Sequence, residues 1–67
     1  GYTDTEHLRE IFGSEEATRA FAENIPAKRL AHVNEIAAAV TFLASQQAAY
    51  ITGQTVIVDG GFVGTLF

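Results

Sequence analysis

The first half of the chain carries apolar residues at helical spacing. Residues 6–12 place three of them at i, i+3 and i+4, which is one face of a helix: Leu8, Ile11 and Phe12. Residues 15–24 carry a second apolar stripe of the same kind. Thr5 and Ser14 precede these segments in positions typical of N-caps. The pattern therefore predicts two short helices, the second of which is stopped by Pro26 because proline lacks an amide proton.

The second half of the chain predicts a third helix and a strand. Over residues 33–45 apolar side chains recur at helical spacing, and Phe42 lies off the main stripe, which indicates burial both by the helix's own domain and by a partner. Residues 55–58, Thr-Val-Ile-Val, form a β-branched run typical of a strand covered on both faces. A lone inner strand leaves its backbone groups unpaired. We therefore expect a fragment, or a chain that another chain completes.

Composition and charge narrow the classes of function. A chain of 67 residues holds one domain at most, and the absence of cysteine excludes disulfides and thiolate metal sites; we predict no metal site. The net charge is −4, which disfavours binding to a phosphate backbone, and no apolar run reaches the roughly 20 residues that span a bilayer. We expect neither nucleic acid nor membrane as a partner. The missing initiator Met suggests a processed or excerpted chain.

Two non-enzymatic functions are alternatives for this chain, a DNA-binding protein and a self-associating helical module. A helix-turn-helix DNA reader is disfavoured because the four basic residues all lie before residue 45, outside the segment that would read DNA. A small self-associating helical interaction module would explain a helix that is apolar on two sides. It would not explain the run from Thr55 to Gly61.

Several motifs occur in order along the chain. They are Ile25-Pro26, Arg29, Glu35-Ile36-Ala37, Phe42-Leu43-Ala44-Ser45, Tyr50-Ile51-Thr52-Gly53-Gln54 and Val58-Asp59-Gly60-Gly61. In this order and spacing they closely resemble the C-terminal portion of short-chain dehydrogenases/reductases. The segment from Gly1 to Thr5 looks like the family's P-G-x-x-x-T segment without its proline, and Thr3 stands where Ile or Val is common. The resemblance implies an α/β fold, the C-terminal fragment of a Rossmann-type doubly wound parallel sheet, with three helices and one inner strand in this chain.

The resemblance assigns roles to the segments of a single domain over residues 1–67. Residues 1–5 would be a cofactor-contacting loop, 6–25 the substrate lid helices, 33–45 the last helix and 55–58 the last strand. The implied cofactor is NAD or NADP, and the implied contact residues are Gly1, Thr3 and Thr5. In particular, the Thr3 backbone and the Thr5 hydroxyl would hold the nicotinamide carboxamide, because an amide needs paired donors and acceptors to fix its orientation. The implied lid residues are Leu8, Phe12, Phe21 and Ile25, with ordinary packing as an equal alternative for the first three.

The implied activity is that of an NAD(P)-dependent oxidoreductase, either 3-oxoacyl reductase-like or sugar/alcohol dehydrogenase-like. It would transfer a hydride between nicotinamide and a small-molecule carbonyl or secondary alcohol, in the cytoplasm. The implied partners are the missing N-terminal part of the domain and a second subunit, contacted through the 33–45 helix and the 55–58 strand. The chain has no G-x-x-x-G-x-G loop. It also has no Y-x-x-x-K pair, because the residue four positions after Tyr50 is Gln54 and the residue four positions after Tyr2 is Glu6. We therefore expect no catalytic residue in this chain and no activity from it alone.

Three polar residues have structural roles in this interpretation. Asp59 is expected to bond local backbone at a strand end, in preference to serving as an acid or a metal ligand. Arg29 and Glu35 are expected to pair across the connector that precedes the third helix.

Overall fold

The computed structural model describes residues 1–66 and contains three α-helices. Helix α1 spans Glu6–Phe12, α2 spans Glu15–Ala22 and α3 spans Val33–Leu43, and short 3₁₀ turns follow at Gln46–Ala48 and Val63–Leu66. Phe67, the last residue of the predicted 1–67 unit, lies outside the described residues. The three predicted helices are confirmed, although α2 and α3 each end two residues earlier than predicted.

The ends of the first two helices are fixed by local hydrogen bonds. The Thr5 hydroxyl accepts a hydrogen bond from the backbone N–H of Leu8 at 3.2 Å, and the Ser14 hydroxyl accepts one from Ala17 at 3.0 Å. Both satisfy a backbone donor that the first helical turn leaves without an intrahelical partner. Gly13 ends α1 with φ of +86°, a left-handed conformation that glycine adopts without steric cost. The predicted caps are therefore confirmed.

Residues 55–58 are not a strand within the described part of the chain, so the prediction of an inner strand is wrong there. Across residues 1–66, β pairing is limited to one parallel bridge between Thr3 and Ala31. Val56 and Ile57 are 51% and 59% exposed. A strand requires a neighbour to bond its backbone groups, and the described residues provide none for this segment. The described chain therefore has helices but no sheet.

The buried core of the described residues is small and surrounds the connector after α2. Ile25 is 2% exposed, and its Cγ2 lies 3.0 Å from the position that a β-carbon on Gly60 would occupy. The other buried apolar side chains are Ala22, Leu30 and Ala48. The core thus joins the end of α2 to the turn near residue 60.

Helix α3 has no buried residue among those described. Its exposed apolar side chains are Val33, Val40, Phe42 and Leu43, and Val40 is 61% exposed. The predicted burial of this helix by its own domain is therefore not found within residues 1–66, where these apolar side chains lie at the surface. No helix within residues 1–66 has the length and apolar character needed to cross a membrane.

Candidate functional site

The 1–5 loop is held in place by a parallel bridge to the connector before α3. The backbone N–H of Asp4 donates to the carbonyl oxygen of Ala31 at 2.8 Å, and the N–H of Ala31 donates to the carbonyl oxygen of Tyr2 at 3.0 Å. These two bonds flank Thr3 and fix the plane of its backbone.

The bridge leaves the backbone N–H and C=O of Thr3 directed away from Ala31. In parallel pairing, the central residue of a bridge turns its own N–H and C=O to the opposite side from its partner. Among the described residues neither of these groups has a hydrogen-bond partner, while the Thr3 hydroxyl donates to the carbonyl of Gly1 at 3.1 Å. Thr3 therefore presents a donor and an acceptor side by side, which is what recognition of an amide requires.

The other two predicted contact residues flank this peptide. The Thr5 hydroxyl caps α1 by accepting one hydrogen bond, so its proton remains able to donate. Gly1 lies against the backbone of the C-terminal turn: a β-carbon there would stand 2.5 Å from Asp59 Cα and 2.7 Å from the Val58 carbonyl oxygen. The chain thus brings Gly1, Thr3 and Thr5 together on one loop whose start has no room for a side chain.

Two of the predicted lid residues, Phe12 and Phe21, belong to an aromatic cluster beside the loop. The Phe12 and Phe21 ring centroids are 5.0 Å apart, and the Tyr2 ring meets Phe21 edge-on at 4.5 Å. Leu8, Phe12 and Phe21 are half-buried. Aromatic pairs at these separations stabilise one another by about 0.5–1.5 kcal/mol beyond their buried area. The cluster ties α1 and α2 to the loop and leaves part of each ring at the surface.

Ile25 differs from the other predicted lid residues because it is fully part of the core. Its side chain is 2% exposed and packs beneath the turn at Gly60. In this position it supports the C-terminal end of α2, and a contact with substrate stays a prediction for all four residues.

Asp59 organises the turn that carries Gly60 and Gly61. One carboxylate oxygen accepts a hydrogen bond from the Gly61 N–H at 2.9 Å, and the other accepts one from the Val63 N–H at 2.8 Å. The bond from Val63, followed by that from Gly61, lowers the pKa of Asp59 below its ordinary value. The expected structural role of Asp59 at the local backbone is confirmed.

The turn and the loop border a narrow cleft. The cleft has a volume of about 80 Å³, and its wall includes Tyr2, Ala31 and Asp59. Ligand pockets usually hold at least about 300 Å³. Residues 1–66 therefore do not by themselves enclose a ligand-sized cavity at this point.

Arg29 and Glu35 form the predicted pair across the connector. Two parallel hydrogen bonds of 2.7 and 2.9 Å join the guanidinium to the carboxylate, and a carboxylate oxygen also accepts the His32 N–H at 2.8 Å. The Arg29 bonds, and then the His32 bond, lower the pKa of Glu35 to about 2. The pair fixes the start of α3 next to Ala31, which is the bridge partner of Thr3.

The Glu35 contacts predict a specific pH dependence. The folded pKa of about 2 lies below the ordinary value of 4.5, so the contacts stabilise the fold above pH 4.5 and lose that effect as the pH falls toward 2. A ¹³C NMR titration of the Glu35 side chain should show the low pKa. The variant Arg29→Gln should move it upward. A Glu35 midpoint in the ordinary range in the unsubstituted protein would show that the pair does not form in solution.

All four basic side chains line one groove between α1, α2 and the connector. The groove has a volume of about 260 Å³ and contains Arg9, Arg19, Lys28 and Arg29, together with Asp4 and Glu15. Arg9 is paired with Asp4 by two hydrogen bonds of 3.0 Å, and Arg29 is paired with Glu35. Much of the positive charge in this groove is therefore engaged within the chain.

Sequence reasoning missed the residues that support the loop. Ala31 lies 28 positions after Thr3, and neither Tyr2 nor Phe62 belongs to an apolar stripe of a helix. The Phe62 ring lies 5.7 Å from Tyr2 and 6.0 Å from Phe21. No spacing rule links residues so far apart. The aromatic type of Tyr2 and Phe62 was the only available signal for their packing.

Comparisons with known proteins place these features in a family. The family model described as Enoyl-(Acyl carrier protein) reductase matches residues 1–63. The chain is 46% identical over 61 residues to the 3-oxoacyl-[acyl-carrier-protein] reductase FabG of Vibrio harveyi, and this match covers 91% of the chain and 24% of the relative. It is 46% identical over 61 residues to the 3-oxoacyl-[acyl-carrier-protein] reductase MabA of Mycobacterium avium, covering 91% of the chain and 23% of the relative.

A third relative carries the broader class in its name. The chain is 54% identical over 44 residues to a short-chain type dehydrogenase/reductase of Sinorhizobium fredii, and the match covers 66% of the chain and 8% of the relative. The chain thus spans about a quarter, or less, of the length of these curated relatives.

Proposed function

The chain belongs to the short-chain dehydrogenase/reductase family, and from that premise we propose that it is the C-terminal part of a Rossmann-type oxidoreductase. The whole protein would transfer a hydride between a nicotinamide cofactor, NAD or NADP, and a carbonyl or secondary alcohol, in the cytoplasm. A 3-oxoacyl group is the favoured substrate, because the names of two relatives state that they reduce one. The rest of the sheet would pair with residues 55–58.

The observation that carries this proposal is the Thr3 peptide. Its N–H and C=O lie side by side without partners among residues 1–66, and the bonds of Ala31 on either side hold them rigidly. A primary amide offers one acceptor and two donors, so a carboxamide matches this pair and can take a further bond from the Thr5 hydroxyl. The residues present therefore fit the amide end of a nicotinamide cofactor.

The chain's own residues would orient the cofactor and close the site. A nicotinamide cofactor, when bound, supplies or accepts the hydride. Thr3 and Thr5 would fix which face of its ring meets the substrate. The half-buried side chains of Leu8, Phe12 and Phe21 would cover the substrate and exclude water. The acid–base residues would come from the rest of the domain.

A self-associating helical module is the rival function. The exposed apolar surface of α3, with Val40 61% exposed, favours it. It gives no reason for a loop that presents an unpartnered donor and acceptor. The two functions differ in what they predict for cofactor binding.

The test is a chimera in which this chain replaces the matching segment of the Vibrio harveyi reductase; we call it the reductase chimera. We expect it to fold, bind NADH or NADPH saturably and reduce a 3-oxoacyl thioester within about tenfold of the unsubstituted reductase. The two segments are 46% identical over 61 residues, and protein cores tolerate many simultaneous substitutions that keep total volume and patterning. The isolated chain should show no saturable cofactor binding by isothermal titration calorimetry.

Two results would count against the proposal. One is a chimera that is folded by circular dichroism yet binds neither nicotinamide cofactor. The other is a clear micromolar isotherm for the isolated chain, because the chain would then hold the cofactor without the remainder of the domain.

A further inference from the structure

The turn that Asp59 organises touches three separate parts of the chain. Its carboxylate oxygens accept the Gly61 and Val63 N–H groups at 2.9 and 2.8 Å, and its carbonyl oxygen accepts the Phe62 N–H at 3.2 Å. Gly60 and Gly61 adopt φ of +64° and +90°. Glycine has many other backbone conformations available, so the two glycines do not fix this turn by themselves. The Asp59 carboxylate fixes it by accepting hydrogen bonds from the N–H groups of the turn.

The first part in contact with the turn is the start of the loop. The position of a β-carbon on Gly1 falls 2.5 Å from Asp59 Cα, so the two backbones are in direct contact. Phe62 extends the same contact, since its ring lies 5.7 Å from that of Tyr2. The loop is thereby enclosed between the Ala31 bridge on one side and the turn on the other.

The second and third parts are the base of the lid and the lid itself. The Ala27 N–H donates to the carbonyl of Gly60 at 3.1 Å, and Gly60 packs against Ile25 with almost no space between them. Phe62 also lies 6.0 Å from the Phe21 ring of α2. A shift in the turn would therefore move the lid base together with the loop.

From these contacts we propose that Asp59 is a positioning residue for the cofactor: by holding the 59–63 turn against Gly1 and Tyr2, it sets where the Thr3 peptide points. This proposal rests on the proposed function, which makes the Thr3 peptide the carboxamide contact. Asp59 touches neither cofactor nor substrate in this scheme. It acts through two contacts, the backbone contact with Gly1 and the ring contact of Phe62.

The proposal predicts graded effects of substitution at Asp59 in the reductase chimera. Asn keeps one acceptor oxygen and Ala keeps none, so one or both turn bonds are lost. We expect the KM and Kd of the nicotinamide cofactor to rise about threefold in Asp59→Asn and about tenfold or more in Asp59→Ala, since a bond to a charged acceptor is worth roughly a factor of ten. The kcat at saturating cofactor and the KM of the 3-oxoacyl substrate should change less than the cofactor KM.

The measurements are steady-state kinetics and NADPH or NADH fluorescence titrations on the folded fraction. The matched control is Glu23→Gln, which removes one carboxylate that is 70% exposed and lies 4.0 Å from Lys28 Nζ. It should leave the cofactor Kd within about twofold, as expected of an exposed pair. If Asp59→Ala fails to fold, Asp59→Asn carries the test.

The outcomes separate this proposal from the one on which it rests. If the chimera itself binds no cofactor, the proposed function fails and the role of Asp59 fails with it. If the chimera binds and turns over, but Asp59→Asn and Asp59→Ala only lower the melting temperature and leave the cofactor Kd within twofold, Asp59 is merely structural and the positioning role is overturned.

Discussion

Replacing Ile25 by Ala in the reductase chimera should lower the free energy of unfolding by about 2–4 kcal/mol. Ile25 is 2% exposed, and its side chain fills the space beneath Gly60, where a β-carbon would approach Ile25 Cγ2 to 3.0 Å. The backbone on both sides is fixed, because the Ile25 N–H donates to the Ala22 carbonyl oxygen and the Ala27 N–H donates to the Gly60 carbonyl oxygen. The cavity that the substitution leaves therefore cannot close easily. Urea unfolding followed by circular dichroism measures the loss.

The control for this prediction is Ile11→Ala in the same protein. Ile11 is 63% exposed and lies on the short helix α1. The Ile11→Ala change therefore removes the same atoms as Ile25→Ala, but from a position with little burial. We expect this change to cost less than about 1 kcal/mol. Equal losses for the two variants would mean that the remainder of the reductase covers Ile11 as thoroughly as this chain covers Ile25.

The helices of this chain were predictable from sequence because their determinants are local. Thr5 and Ser14 each bond an N–H three residues ahead, and Gly13 ends α1 in a left-handed conformation. Such interactions depend on a few neighbouring residues, so they form whatever surrounds them. The predicted and observed ends of α2 and α3 differ by two residues because the last turn of a helix often tightens. At the end of α2, for example, the Glu23 N–H donates to the Ala20 carbonyl oxygen, three residues back.

The conformation of residues 55–58 was not predictable in the same way. Its β-branched composition describes the environment that the segment needs, which is a sheet on both sides. The described chain does not provide that environment, and Val56 and Ile57 are left 51% and 59% exposed. Composition therefore predicts a strand only where a sheet is available, and within the described residues none is.

The candidate site was predictable only as far as the resemblance extended. Gly1, Thr3 and Thr5 came from the family pattern, and their arrangement depends on Ala31, Asp59 and Phe62, which lie 26 or more positions away. Hydrophobic periodicity has a range of a few residues and cannot report such contacts. Only a folded arrangement relates the turn at Asp59 to the loop at Thr3.

Replacing Val40 by Asp should weaken subunit association of the reductase chimera by about thirtyfold or more, which is about 2 kcal/mol. Val40 lies on α3, which has no buried residue here, and it is 61% exposed. A charge at an exposed helical position costs little in the isolated subunit. The same charge is costly once a partner removes it from water without offering a counter-charge. Sedimentation equilibrium measures the change in the association constant.

The matched control is Asn34→Asp, which adds the same charge to an exposed position in the first turn of α3. There the charge is favourable to the helix and lies outside the apolar stripe, so association should stay within about threefold. If Val40→Asp associates as strongly as this control, the subunit interface does not include the α3 stripe.

The same pair of variants, made in the isolated chain, separates the two functions. One set of results favours the self-associating module: the isolated chain associates, Val40→Asp abolishes that association, and the chimera binds no cofactor. The module then explains the apolar face of α3. If the chimera binds the cofactor and loses association only with Val40→Asp, the exposed stripe is the subunit interface of an oxidoreductase.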